Sequence, residues 1–164
     1  MEGVKVSSSK MAEAIIDFLI NIPIFDKLKG GELQIVAAHM NFIELYKGDI
    51  LFKEGDRGDY VCFVVDGALD VLKKSETGKN VILSTLNKNR SIGEMSVIDD
   101  FPRSATVKAR SKSTLVILTR EGFNILLEKH SIIGVKILKG ISRLLSMSLR
   151  KTSSRLADYM LPLS

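Results

Sequence analysis

The chain reads as a mainly β protein with flanking helices, and three observations lead there. Between residues 42 and 119, short apolar or alternating runs are punctuated by Gly, Asp, Asn and Lys. That spacing predicts a sandwich, a jelly roll or a small barrel. Apolar residues recur at helical spacing on both sides, over 10–20 and again over 132–160. A length of 164 residues allows one domain with a sizeable core and little room for a second. We therefore divide one domain into an N-terminal helical segment (1–41), a β unit (42–119) and C-terminal helices (120–164).

The elements follow in chain order. Residues 10–20 form an amphipathic helix that Pro23 ends. Asp26 to Glu32 is turn-like, and Leu33 to Met40 reads as a second short helix. Strands are expected at Phe42–Tyr46, Ile50–Phe52, Tyr60–Val65, Ala68–Leu72, Val81–Leu86, Thr106–Ala109 and Leu115–Leu118. Asp66-Gly67, between two such runs, predicts a tight hairpin. Thr119 suits an N-cap for a helix over Arg120–Lys129. A longer helix runs from Ile132 to about Met160. One of its faces is a stripe of Ile137, Leu138, Ile141, Leu144, Leu145 and Leu149, and another carries Lys136, Lys139, Arg143 and Arg150. Gly134 and Gly140 weaken that helix by about 1 kcal/mol each against alanine. Pro162 lies just past its end.

Composition narrows the function classes. No run of about 18 uncharged apolar residues is present, so no membrane span is expected. The polar start, Met1 to Lys10, does not read as a signal peptide. One cysteine, Cys62, allows no internal disulfide and fits the cytoplasm. Net charge is +5, and Lys129 to Arg155 holds seven Lys or Arg residues with no Asp or Glu. Such a run is a solvated helix face or a surface for nucleic acid or an acidic partner. His39 and His130 are isolated, and no Walker loop, Gly-x-Ser-x-Gly or zinc motif occurs. We expect no enzyme, no catalytic or metal site, and no cofactor.

The chemistry concentrates in Gly93-Glu94-Met95-Ser96-Val97-Ile98-Asp99-Asp100-Phe101-Pro102-Arg103-Ser104-Ala105-Thr106-Val107. A carboxylate and a guanidinium stand nine residues apart around one loop. Gly93 suits a close backbone approach and a short helical turn with free N–H groups. Arg103 can fork onto phosphate oxygens with two charge-assisted bonds. Glu94 only accepts hydrogen bonds at neutral pH, so it suits a sugar hydroxyl and repels phosphate. The structural alternative is a loop closed by an ordinary Glu94–Arg103 ion pair.

This stretch resembles the phosphate-binding cassette of cyclic-nucleotide-binding domains, the family of the catabolite gene activator and of the regulatory subunit of cyclic-AMP-dependent protein kinase. The matching positions are Gly93, Glu94, Met95, Ser96, Pro102, Arg103, Ser104, Ala105 and Thr106. The likeness continues through Ile22-Pro-Ile-Phe-Asp-Lys-Leu, Lys47-Gly-Asp-Ile-Leu-Phe-Lys-Glu-Gly-Asp and Tyr60-Val-Cys-Phe-Val-Val-Asp-Gly, and covers roughly 15–160. Among the open β architectures it selects an antiparallel, jelly-roll-like β-roll. It implies a cyclic-nucleotide sensor in which Arg103 neutralises the cyclic phosphate and Glu94 accepts from the ribose 2′-hydroxyl. Backbone N–H groups around Met95–Val97 and Ser104–Ala105 would add donors.

The resemblance also implies base contacts. Leu83 and Ser84 match residues lying against the purine in the activator, Ile92 adds an apolar wall, and Ser148 on the long helix reaches the base edge. Ordinary core packing explains Leu83 and Ile92 equally well. Leu149 departs from the activator's pattern, where a second polar residue stands. Ser104 favours cyclic AMP over cyclic GMP. The long helix would report ligand binding and pair with its copy in a homodimer, the downstream effector being unknown. Ser154 to Leu161 resembles the approach to a DNA-reading helix-turn-helix, but the chain stops at Ser164, so no recognition helix is expected. The competing classes are a basic-helix binder of nucleic acid or acidic partners and a ligand-free dimerisation scaffold.

Overall fold

Among the described residues, the seven punctuated apolar runs become seven of eight strands in two four-stranded antiparallel sheets. The computed structural model describes residues 8–160. The strands are β1 (Met40–Leu45), β2 (Ile50–Phe52), β3 (Tyr60–Asp66), β4 (Leu69–Lys74), β5 (Asn80–Leu86), β6 (Ser91–Ile92), β7 (Thr106–Ala109) and β8 (Ser113–Thr119). The first sheet is ordered β1-β8-β3-β6 and the second β2-β7-β4-β5. Helices α1 (Ser8–Leu19), α2 (Gly30–Ala37), α3 (Arg120–Lys129) and α4 (Ser131–Tyr159) flank this β-roll.

Burial explains the texture of the strands. In β3, Cys62 and Val64 pack between the sheets while Val61 and Phe63 pack under the helices. In β8, Leu115 points between the sheets and Val116 and Leu118 point to the helices. These strands are covered on both faces, so their sequences are continuous apolar runs rather than alternations. Cys62 is a small buried hydrophobe, and burial raises its thiol pKa well above the usual range.

Three local expectations are corrected. Asp66-Gly67 does not close a hairpin, because β3 and β4 lie in different sheets. Gly67 (φ +86°) is pressed against β8, where a Cβ would stand 2.3 Å from Ser113 Oγ and 2.4 Å from the Lys112 carbonyl. Ala68 N–H is held by the Ser111 and Ser113 hydroxyls, so the chain is steered into the other sheet. The true hairpin is β4–β5, turned where Gly78 N–H donates to Ser75 O and Ser75 N–H to Lys79 O. Helix α2 starts three residues before Leu33, because Glu32 reaches back to the Lys29 N–H at 2.8 Å. Met40 is the first residue of β1, opposite Leu118, rather than the end of a helix. β6 is two residues long and carried no periodic signal.

Thr119 caps α3 as expected, its hydroxyl accepting from Gly122 N–H at 3.0 Å. In α4, Ile133, Ile137 and Ile141 are buried, with Leu144 and Leu145 partly so. Leu138 and Leu149 lie outside this packed stripe and are exposed. The glycines carry the packing: a Cβ on Gly140 would sit 2.2 Å from the Ile24 carbonyl oxygen, and one on Gly134 2.8 Å from Leu127 Cα. Lys136 pairs with Glu32 at 2.7 Å and Arg143 with Asp26 at 3.0 Å, so part of the basic face is used within the chain. The Lys136 hydrogen bond, then the Lys29 N–H, hold the Glu32 carboxyl below its usual range. That stabilisation is present above the unfolded carboxyl pKa and fades as pH falls through the folded one.

From Ser146 to Met160 every residue is exposed. Ser154 to Tyr159 continue α4 instead of opening a separate element. Residues 1–7, Leu161 and Pro162 lie outside the described residues. No helix among those described is long and apolar enough to cross a membrane.

Candidate functional site

A cavity of about 230 Å³ opens where the cassette, β2, β6 and α4 meet. Gly93 starts it: φ of +87° turns the chain out of β6 into a 3-10 turn, Glu94–Val97. A Cβ there would also stand 2.4 Å from Arg103 Nη1, so glycine is required by conformation and by proximity.

Arg103 lies in the cavity wall and is only 4% exposed. Its guanidinium carbon sits 3.9 Å from the Phe52 ring centroid and 4.6 Å from that of Tyr60. Nη1 donates to Ser96 Oγ and Nη2 to the Tyr60 carbonyl, both at 2.9 Å. Its Nε is buried with no acceptor. No carboxylate pairs with it among the described residues, and the Glu94–Arg103 ion pair of the structural alternative is absent. A buried cation without an anion is costly. Cation–π contacts recover about 0.5–2 kcal/mol, which leaves a site suited to an incoming anion.

Glu94 is 8% exposed and lines the same cavity. Its carboxylate has neither a hydrogen-bond donor nor a cation among the described residues. Its oxygens are reached by solvent, and a hydroxyl entering the cavity can replace water as their donor. The two opposite charges line one cavity with no ion pair between them.

The remaining expected residues divide clearly. Ile92, Met95, Ser96, Ser104, Ala105 and Ser148 all line the cavity with Gly93. Ser96 N–H is used by the Gly93 carbonyl at 3.1 Å, so that donor belongs to the turn. The N–H groups of Ser104 and Ala105 have no acceptor among the described residues. Leu83 and Ser84 stand outside the lining, on the outer strand β5. Val71 pairs Ser84 and Leu72 pairs Ile82, so Leu83 is the extra residue of a bulge and is 54% exposed. Bulges of this kind re-aim side chains beside binding sites.

Several residues escaped the sequence reading. Phe52 and Tyr60 looked like strand core, yet they flank Arg103. Gly58 carries no reading of its own in the sequence, yet a Cβ there would sit 2.1 Å from Ser96 Oγ and 3.0 Å from Arg103 Nε. Phe101, Asp99 and Leu145 complete the lining. Asp99 and Phe101 lie within the cassette and Leu145 on the apolar stripe of α4, which were the available signals.

The β-roll thus holds, in one cavity, a buried guanidinium and a carboxylate that are not paired with each other. The model of the cyclic nucleotide-binding domain family matches residues 42–130, and the chain belongs to that family. It is 33% identical over 110 residues to the cAMP-dependent protein kinase regulatory subunit of Yarrowia lipolytica, covering 67% of this chain and 28% of that protein. It is 30% identical over 125 residues to the cGMP-dependent protein kinase of Plasmodium berghei, covering 74% of this chain and 14% of the kinase. The chain thus spans less than a third of the length of either relative. The crystal structure of a cyclic nucleotide-binding domain from Methylobacillus flagellatus superposes with a TM-score of 0.83 at 26% identity, over 95% of this chain and 88% of that one.

Proposed function

We propose that this chain senses a cyclic nucleotide, with cyclic AMP preferred to cyclic GMP, and reports it through α4. The observation that carries the proposal is the buried Arg103, which lacks a counter-anion and has an unbonded Nε. Arg103 and the Ser104 and Ala105 N–H groups receive the cyclic phosphate, and Glu94 accepts from the ribose 2′-hydroxyl. The purine extends toward Ile92 and Ser148, which line the cavity. Ser104 in place of threonine supports cyclic AMP, as do relatives named as cAMP-dependent kinase regulatory subunits; the relative named as a cGMP-dependent kinase keeps the choice a matter for measurement.

Ligand occupancy reaches α4 through Leu145 and Ser148, which line the cavity. The exposed distal half of α4, with Met147, Leu149, Leu156 and Tyr159, forms a homodimer interface with a second copy. The role is regulatory rather than catalytic, and a cytoplasmic setting goes with the single buried Cys62.

A thermal-shift panel of cyclic AMP, cyclic GMP and the two linear 5′-monophosphates tests the proposal. A ligand at 100 times its Kd stabilises the native state by about 2.7 kcal/mol, which raises the melting temperature by roughly 5–10 °C in a chain of this size. Both cyclic nucleotides should exceed the linear ones, cyclic AMP most of all. No shift with either cyclic nucleotide would refute the reading.

A further inference from the structure

Arg120 is the first residue of α3, where the helix macrodipole opposes a positive charge. Helix stability therefore does not explain it. Its side chain is 22% exposed and reaches back to the ligand-binding loop. Nε donates to the Ser96 carbonyl at 2.8 Å. Nη2 donates to the Gly58 carbonyl at 2.9 Å and the Asp99 carbonyl at 2.6 Å. Nη1 meets the Asp100 carboxylate, which is 86% exposed, and pairs that open contribute little. The three backbone carbonyls are thus the main targets of the guanidinium.

Ser96 is shared between two guanidiniums. Its hydroxyl accepts from Arg103, in the cavity, and its carbonyl accepts from Arg120, on the helix. The junction has no slack, because Gly58 lies against both Ser96 Oγ and Arg103 Nε. On the far side, α3 packs against α4 through the close approach of Gly134 to Leu127.

We infer that Arg120 is the positioning residue that couples the Arg103 site to the α3–α4 unit. This rests on the reading that an anionic nucleotide docks at Arg103. An anion there competes for the guanidinium that now bonds Ser96 Oγ. The turn Glu94–Val97 adjusts, and Arg120, fixed to the carbonyls of Ser96 and Asp99, carries the start of α3 with it. A side chain with one ammonium in place of the planar fork cannot hold three separated carbonyls in this way.

Hydrogen exchange on the full chain, with and without cyclic AMP, tests this in the unaltered protein and in Arg120→Gln. In the unaltered protein, cyclic AMP should slow exchange in residues 93–105 and also in α3–α4. In Arg120→Gln, protection at 93–105 should persist while the ligand's effect on α3–α4 falls about fivefold or more, the size of a typical coupling. A merely structural role would loosen α3 equally with and without ligand. If Arg120→Gln does not fold, Arg120→Lys is read in the same way and should show the same loss. A full ligand effect on α3–α4 in the folded variant overturns the coupling and leaves the binding site standing. Loss of nucleotide binding in the variant also overturns it, since Arg120 would then serve the pocket. No cyclic AMP effect at 93–105 in the unaltered protein refutes the ligand reading itself, and the coupling falls with it.

Discussion

Arg103→Gln should weaken cyclic nucleotide binding by about a hundredfold or more while the chain stays folded. Each hydrogen bond to a charged group contributes about 1.5–3 kcal/mol, and a cyclic phosphate would take at least two from this guanidinium. The fold should tolerate the change because Arg103 has no carboxylate partner that would be left buried and unpaired. Glutamine keeps one amide donor for the Tyr60 carbonyl or Ser96, which are neutral acceptors. Calorimetric titration of the variant, beside a circular dichroism melt, checks both halves. Unchanged affinity in a folded variant would place the phosphate elsewhere.

Gly140→Ala should destabilise the protein, contrary to helix propensity. Propensity alone favours alanine by about 1 kcal/mol. At this position, however, a Cβ would stand 2.2 Å from the Ile24 carbonyl oxygen and 2.9 Å from Ile24 Cα, both backbone atoms. Overpacking of this type costs about 1–3 kcal/mol, occasionally more. With clashes this short against backbone the cost falls at the upper end, so the net loss of about 2 kcal/mol should lower the melting temperature by roughly 4–8 °C in a chain of this size. Gly31→Ala in α2, where nothing lies within 4 Å, is the control and should be neutral or slightly stabilising. A neutral Gly140→Ala would mean that α4 is not seated on Ile24.

These two residues mark what the sequence made legible. Arg103 was readable as a candidate because the cassette holds its residue types in local order within one loop. Strands β3 and β8 were readable from their apolar runs, while the burial of both their faces emerges only in the packing. Gly140 was misread because its partner, Ile24, lies far away in the chain, and local periodicity carries no trace of that contact. Asp66-Gly67 was misread likewise: a turn dipeptide specifies a reversal, but Ser111 and Ser113 decide which sheet the chain enters. Phe52, Tyr60 and Gly58 were missed as site residues because flanking a guanidinium and packing a core call for the same residue types. Arg120 looked like an ordinary helix-start residue, since its acceptors are backbone carbonyls and those have no sequence signature.

The nucleotide's position is the most direct test of the whole proposal, and a crystal structure grown with cyclic AMP provides it. The expected result is the cyclic phosphate within hydrogen-bond distance of the Arg103 guanidinium and the 2′-hydroxyl on the Glu94 carboxylate. Nucleotide bound outside this cavity, or in it with the phosphate turned away from Arg103, would contradict it.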